Sequence, residues 1–156
     1  MRGFLVGGGL ALLLLAACGP RTPAPTAQSA GCIDASAPHH AYIVVQHLSG
    51  TSIQRCVGFS GGSIDGQTIM DRSGIEYEAR PISSGKVVCQ VDLEPTQFNE
   101  CFPQNRPYWA LFIESAGRWA SAPGGYTDVQ LHDGESMGWH YVPANDAAPA
   151  PPPLPR

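Results

Sequence analysis

Hydrophobic and polar residues alternate along much of the middle of this chain, and this alternation constrains its fold more than any other feature. Two sets of residues show it: Ile75, Tyr77 and Ala79, and then Val87, Cys89, Val91 and Leu93. Successive side chains of a β-strand point to opposite faces, so a period of two predicts strands with one buried and one solvated face. We therefore predict a mostly β fold in which both sets, including the Cys89 thiol, face the core.

Other segments predict further strands. Residues 42–45 and 108–113 are apolar at nearly every position, which is typical of strands that are covered on both faces, and they are candidates for the middle of the sheet. Additional strands are expected at Ile53 to Phe59, around Trp119, at Val129 to Leu131 and at Met137 to Val142.

One segment, Gly66 to Ser73, predicts a helix. Asp65 stands where a side chain can accept hydrogen bonds from the first helical turn, and Gly74 can take the left-handed conformation at the end. The order of strands, one short helix and more strands predicts a small α+β domain, mostly an antiparallel sheet with the helix on one face. An all-β sandwich is the alternative if the helix is only a turn.

Composition divides the chain after residue 17 into three parts. Residues 19–30 are rich in Pro, Thr, Ala, Gln and Ser, and residues 143–156 are mostly Pro and Ala. Such stretches bury too little apolar surface to offset the entropy lost on ordering. We therefore expect a flexible tether over residues 18–31, a folded domain over 32–142 and a disordered free tail over 143–156.

The first eighteen residues have the pattern of an export signal. Arg2 is followed by the apolar stretch Phe4 to Leu15 and by Leu15-Ala16-Ala17-Cys18. These four residues resemble the lipobox of bacterial lipoproteins, which implies a signal peptide over residues 1–17 and a diacylglyceryl anchor on Cys18, usually with a third acyl chain. The expected location is extracytoplasmic, on a membrane. The alternative is an ordinary signal peptide that is cleaved after Ala17 and leaves Cys18 as a spare thiol.

The charge balance excludes two classes of partner. The chain has nine basic and thirteen acidic residues, Lys86 is its only lysine, and cleavage would remove Arg2. Neither a nucleic-acid-binding surface nor a polybasic membrane segment can be built from this set.

Four cysteines remain once Cys18 is assigned to lipid, and an even number outside the cytoplasm suggests two disulfides. Three pairings are possible. We favour Cys89 with Cys101, because this bond closes a short loop between two strand-like segments, and hence Cys32 with Cys56.

The order of motifs from Ser63 to Tyr141 resembles the transcobalamin C-terminal-like domain, a β-grasp module of vitamin B12 carriers and bacterial surface proteins. The matching segments are Ile64 to Met70, Val88 to Asp92, Tyr108 to Phe112, Gly117 to Trp119, and Leu131 to Glu135 running into Gly138 to Tyr141. Small secreted actinobacterial proteins of unknown role are similar in the last segment and in the cysteines at 89 and 101. The resemblance implies a β-grasp fold and a cobalamin-like ligand, although the helical barrel that completes the site in B12 carriers has no counterpart here.

No catalytic or metal-binding motif emerges from the polar residues. The chain has no Gly-x-Ser-x-Gly, Cys-x-x-Cys or His-x-x-x-His pattern. We interpret its histidines as surface residues, including His39, His40 and His47, whose combination as a metal site is the weaker alternative. Asp133 and Glu135 fit a turn. The sequence thus predicts neither an enzyme nor a cofactor nor a metal.

The aromatic residues of the last third are the best candidates for binding. Alternate aromatic side chains on adjacent strands would form a platform for a flat ligand or a partner protein. The candidates are Tyr108, Trp109, Trp119, Trp139 and Tyr141. Core packing alone would also explain them, but Tyr108 and Trp109 must face opposite ways. We expect a tethered, non-enzymatic module that binds either a small planar ligand, such as a corrinoid, or a partner protein. The alternative is a structural or assembly lipoprotein that docks on an envelope or transporter protein, and a hydrolase is third.

Overall fold

A computed structural model of the chain describes residues 31–156, which form one α-helix, one 3₁₀ turn and nine strands. In chain order these are β1 (His39–Gln46), β2 (Ser52–Phe59), β3 (Ile64–Asp65), α1 (Gly66–Arg72), β4 (Tyr77–Ile82), β5 (Gly85–Val91), β6 (Tyr108–Ser115), β7 (Arg118–Ser121), the 3₁₀ turn (Tyr126–Asp128), β8 (Gln130–Leu131) and β9 (Ser136–Val142). The predicted signal peptide, Cys18 and nearly all of the tether lie outside the described residues.

The main sheet has five strands in the order β2-β1-β9-β6-β7. The central strand β9 runs parallel to its neighbour β1, whereas the other neighbouring pairs of this sheet are antiparallel. The sheet is therefore mixed, and the domain is mostly β with a single α-helix among residues 31–156. The strands β3 and β8 form a small separate ladder, and β4 and β5 form a hairpin.

The predicted helix is confirmed, together with its capping residue. The carboxylate of Asp65 accepts a hydrogen bond from the Thr68 main-chain N–H at 2.8 Å and another from the Thr68 hydroxyl at 2.6 Å. Past the helix, Gly74 has a φ of +71°, which glycine adopts without steric cost. The helix buries Ile69 and Met70 in the main core, on the face of the sheet that also carries Met137 and Trp139.

The β4–β5 hairpin also packs on this face, but its side-chain pattern differs from the prediction after Val88. A register shift pairs Ala79 with Val88 and Glu78 with Gln90, so Cys89 is an extra residue on its strand. This bulge places Val88 and Val91 in the core. The predicted common face of Val87, Cys89, Val91 and Leu93 is therefore wrong, and Leu93 is 60% exposed.

Both favoured disulfides are present. Cys32 bonds to Cys56, and Cys89 bonds to Cys101. Cys56 lies in β2 and Cys89 lies in β5, and both are buried. Each bond therefore joins a strand of the fold to a neighbouring loop. Disulfides persist in oxidising compartments, and this pair indicates a protein that folds outside the cytoplasm.

The proline-rich segment 143–156 differs from the expected free tail. Its Pro152 is buried, and the main chain of Arg156 exchanges two hydrogen bonds with the Gln54 side chain, at 2.8 and 2.9 Å. The segment lies on the face of the sheet opposite α1. It therefore helps to explain why the central strands are apolar on both faces, since both faces are covered. Among residues 31–156, no helix has the length and hydrophobicity needed to cross a membrane.

Candidate functional site

The five aromatic residues predicted to bind a ligand lie on two different faces of the main sheet. Trp109, Trp139 and Tyr141 belong to the core on the α1 side. Tyr108 and Trp119 pack against a smaller cluster on the opposite side, formed by Ala110, Phe112 and Val142. The predicted set therefore does not form one surface, because neighbouring residues of a strand alternate between its faces.

A groove opens on the α1 side of the sheet, between the end of the β4–β5 hairpin and β6. Its volume is about 480 Å³. We call it the aromatic groove, and its main apolar lining residues are Ile82, Phe102, Trp109, Leu111, Tyr126 and Trp139. Two of these are strongly exposed, Ile82 at 50% and Phe102 at 69%. The groove thus has buried aromatic walls and exposed apolar residues.

The two tryptophans of the groove differ in their hydrogen bonding. Trp109 Nε1–H donates to the main-chain carbonyl of Glu94 at 2.9 Å. Trp139 is 4% exposed, and its Nε1–H has no hydrogen-bond partner among residues 31–156. A buried donor without a partner costs free energy. Trp139 thus presents part of its ring to the groove, and its N–H would gain a hydrogen bond only if a ligand acceptor reached below the present surface.

Aromatic contacts fix the orientation of these walls. The ring centroids of Trp109 and Tyr141 are 4.9 Å apart, and those of Tyr126 and Trp139 are 6.2 Å apart. Burial raises the pKa of the Tyr126 phenol and, together with the charge of Glu94, the pKa of Tyr141. Both phenols therefore stay neutral at physiological pH, and the buried wall carries no negative charge from them.

Charged groups occur among the lining residues as Lys86 and Asp128. The Lys86 ammonium donates to the Gln67 side-chain oxygen at 3.1 Å, and no carboxylate of the described chain lies within ion-pair distance of it. A neutral partner leaves most of the lysine charge unbalanced. The groove therefore combines apolar walls with one cation, Lys86, that has no ionic partner, and one carboxylate, Asp128.

The aromatic groove ends at the glycines at 124 and 125. A second cavity of about 590 Å³ lies on the other side of them and is lined by Ile113, Trp119 and Ala120 among others. Gly124, Gly125 and Asp128 line both cavities. This short segment therefore separates the aromatic groove from the second cavity, to which Trp119 belongs.

A histidine between two carboxylates holds the loop that follows β5. His47 Nδ1 lies 2.7 Å from Glu94 Oε2, and His47 Nε2 lies 2.9 Å from Asp92 Oδ2. The imidazole donates both hydrogen bonds only when both nitrogens carry protons. The contacts also hold Asp92 and Leu93 at φ values of 46° and 63°, in the left-handed region that costs non-glycine residues free energy.

The sequence interpretation of His47 as a surface residue is wrong, because its side chain is only 15% exposed. The acidic partners stand 45 and 47 positions further along the chain, and only the fold brings them together. The other histidines that the sequence considered for a metal, His39 and His40, lie at the opposite end of β1. Among residues 31–156, no group of three or more His, Cys, Asp and Glu side chains is placed to hold a metal ion.

Comparison with solved structures finds distant structural neighbours. No protein-family model and no curated protein matches the chain. A crystal structure from Ruminococcus gnavus ATCC 29149, described as that of a "putative metal binding protein", is 12% identical and has a TM-score of 0.48. The match covers 68% of this chain and 98% of that chain. We transfer no function from it.

Proposed function

We propose that this protein is a membrane-tethered extracytoplasmic lipoprotein whose domain is a non-enzymatic binding module for a small planar molecule. The observation that carries the proposal is the aromatic groove, in which the buried Trp139 Nε1–H has no partner. Small-molecule sites are mostly apolar concave surfaces with few polar groups, and their volumes run from roughly 300 to 1,000 Å³. The groove meets this description in size and in lining.

The lining also suggests the chemistry of the ligand. Flat ring systems pack well against indole and phenol rings, which Trp109, Tyr126 and Trp139 supply. The free indole N–H favours a ligand that carries a hydrogen-bond acceptor, and Lys86 favours one that also bears negative charge. A planar aromatic molecule with a carbonyl or carboxylate satisfies these three requirements.

A corrinoid is the specific ligand that the resemblance to transcobalamin-like domains favours. The strand order β2-β1-β9-β6-β7, with parallel central strands and α1 on one face, supports a β-grasp assignment for the domain. The absence of a helical barrel from residues 31–156 means that only one face of a corrin ring could be covered by this domain. We therefore place corrinoids within the wider class of planar ligands.

The ligand proposal can be tested by titration of the protein with cobalamin, cobinamide and a panel of planar aromatic carboxylates. Tryptophan fluorescence and calorimetry would measure binding. Trp139→Phe keeps an aromatic ring but removes the N–H, so affinity for a ligand with an acceptor should fall about tenfold, the equivalent of about 1.4 kcal/mol. Trp119→Phe, on the other face of the sheet, is the matched control and should bind like the wild type. No signal for any compound at high micromolar concentration would refute the proposal.

The lipid anchor is supported by the disulfides. The four cysteines of the domain are paired with one another, which leaves Cys18 available for acylation. Two or three acyl chains suffice for stable anchoring, at about 0.8 kcal/mol per buried methylene. We expect Cys18→Ala to release the protein from membranes and to abolish labelling with palmitate. If Cys18→Ala still fractionates with membranes, the lipoprotein assignment is wrong.

A protein partner is the second candidate, and the exposure of Phe102 and Ile82 beside the groove favours it. Exposed apolar side chains next to a cavity are typical of docking surfaces. A structural or assembly lipoprotein would then dock on an envelope or transporter protein. Cross-linking in intact cells would give one dominant protein adduct, and Phe102→Asp should abolish it. A small-molecule module predicts no such adduct.

A further inference from the structure

Residues 147–156 cross the face of the sheet that lies opposite α1, and their path can be followed residue by residue. Ala150 lies beside His140 of β9, Pro152 lies over Gly138 of the same strand, and Arg156 reaches Gln54 of β2. Gly138 pairs with Val44 of β1, and Val44 pairs with Gln54. The segment therefore runs along β9 and then crosses β1 to the edge of the sheet.

The sheet contacts the main chain of this segment through side-chain groups. His140 Nδ1 lies 2.7 Å from the Ala150 carbonyl oxygen, and Gln54 Nε2 donates to the Arg156 carbonyl at 2.8 Å. Proline lacks an N–H but keeps its carbonyl, so a proline-rich chain offers mainly acceptors. Side-chain donors on the sheet are suited to such a chain, since they bind the groups that every proline-rich segment presents.

The shape of the surface also fits a proline ring. A Cβ atom added to Gly138 would lie 2.7 Å from Pro152 Cγ and 2.7 Å from Cζ3 of the Trp119 ring. Glycine thus leaves a shallow space in which the proline ring and the indole meet. The Trp119 Nε1–H is buried and has no partner among the described residues, so the contact of Trp119 with the proline ring is apolar. Aromatic-lined surfaces of this kind bind extended proline-rich peptides in other domains.

The segment is held by few contacts. Between residues 147 and 156 only Pro152 is buried, and Leu154 is 47% exposed. Proline-rich chains are already extended before they bind, so little conformational entropy is lost when one replaces another.

We propose that this face of the sheet is a docking site for an extended proline-rich segment of a partner protein, and that residues 147–156 occupy it within the same chain as a displaceable strap. The site has aromatic residues of its own, Tyr108 and Trp119, and is separate from the aromatic groove. Access to it is controlled by how tightly the strap is held.

The test uses the full chain and a fluorescein-labelled peptide with the sequence of residues 147–156. Pro152→Asp in the protein weakens the strap without changing the sheet. Fluorescence anisotropy should show that the peptide binds this variant at least tenfold more tightly than the wild type. Adding Trp119→Ala to Pro152→Asp should remove the gain, and a peptide that itself carries Pro152→Asp should not bind.

Several results would overturn the proposal. Equal binding to wild type and variant would mean that the strap does not block the site, and absence of binding to a folded Pro152→Asp variant would mean that no docking site exists. Circular dichroism and a thermal melt establish folding. A variant that does not fold would make the segment part of the core rather than a strap. A wild-type dimer in size-exclusion chromatography that Pro152→Asp dissociates would assign the site to exchange of segments between two copies.

Discussion

The indole N–H of Trp109 donates a hydrogen bond of 2.9 Å to the main-chain carbonyl of Glu94, which ties a wall of the aromatic groove to the loop that follows β5. The Glu94 carboxylate in turn contacts His47 at the end of β1. The position of the groove wall therefore depends on a loop whose other fixed points are the contacts of His47 with Asp92 and Glu94 and the Cys89–Cys101 disulfide.

Trp109→Phe isolates the contribution of this hydrogen bond. The phenyl ring retains most of the apolar contact, but the carbonyl of Glu94 loses its donor. We expect a loss of about 1 kcal/mol in the free energy of unfolding, together with weaker binding in the groove. Chemical denaturation followed by circular dichroism measures the first effect. Trp119→Phe is the control, because its N–H has no partner to lose. An equal loss in both variants would show that ring size, not the hydrogen bond, is responsible.

The helix cap gives the stability a predictable pH dependence. The hydroxyl and then the main-chain N–H of Thr68 hold the pKa of Asp65 below its ordinary value of 3.8. The unfolded chain therefore takes up a proton on Asp65 more readily than the folded chain does. The stabilisation is fully present above the unfolded pKa and is lost as the pH falls through the lower folded pKa.

Two variants of Asp65 separate its charge from its capping role. Asp65→Ala should cost about 1 kcal/mol at neutral pH, whereas Asp65→Asn should retain most of the cap. Asp65→Asn should also flatten the decline of stability below the ordinary pKa of 3.8. Thermal melts of the three proteins between neutral pH and the acid limit of folding provide the comparison. If the acid decline of Asp65→Asn is as steep as that of the wild type, other carboxyls control it.

The Cys89–Cys101 disulfide should stabilise the domain mainly by restricting the unfolded chain. The two cysteines are twelve positions apart, and a loop of this size contributes roughly 3 kcal/mol in the chain-entropy model. Cys89→Ala and Cys101→Ala remove the same bond, so the melting temperatures of the two variants should fall by similar amounts. A much larger loss for the buried Cys89 than for Cys101 would instead assign the effect to packing.

The sequence predicted those parts of the fold that local patterns determine. The helix and its cap depend on Asp65 and Gly74, which stand next to it, and a strand such as residues 108–113 depends on a continuous apolar run. The Cys89–Cys101 bond was favoured because it closes a short loop between two strand-like segments, and Cys32–Cys56 followed as the remaining pair. In each case the information lies within a few residues of the element, or in a short loop.

The remaining features depend on contacts that have no local signal. The bulge at Cys89 places Val88 as well as Val91 in the core, and Leu93 lies past the end of β5, where the chain turns. The contacts of His47 join residues that are far apart in the chain. Composition identified the proline-rich segment correctly but not its location, because Gly138 and Trp119 provide the surface on which Pro152 packs. The aromatic groove was missed as a unit, since Ile82 comes from the end of β4, Phe102 from a loop and Tyr126 from the 3₁₀ turn.

Gly66 and Gly74 stand at the two ends of α1 and should respond very differently to alanine. A Cβ at Gly66 would lie 2.0 Å from the main-chain oxygen of Tyr126. This overlap can be relieved only if the start of α1 and the 3₁₀ turn move apart. Overpacking of this kind costs roughly 1–3 kcal/mol, and we expect Gly66→Ala to lie at the upper end.

Gly74 is the matched control for this substitution. It has a φ of +71° but no atom within 4 Å of an added Cβ, so Gly74→Ala should cost only the roughly 1 kcal/mol of a left-handed alanine. Because Tyr126 also lines the aromatic groove, Gly66→Ala should weaken ligand binding as well, and Gly74→Ala should not. Denaturation curves and fluorescence titrations of both variants measure the two effects. Equal losses of stability would mean that the 3₁₀ turn shifts freely, and the groove wall that Tyr126 forms would then be mobile rather than fixed by the helix.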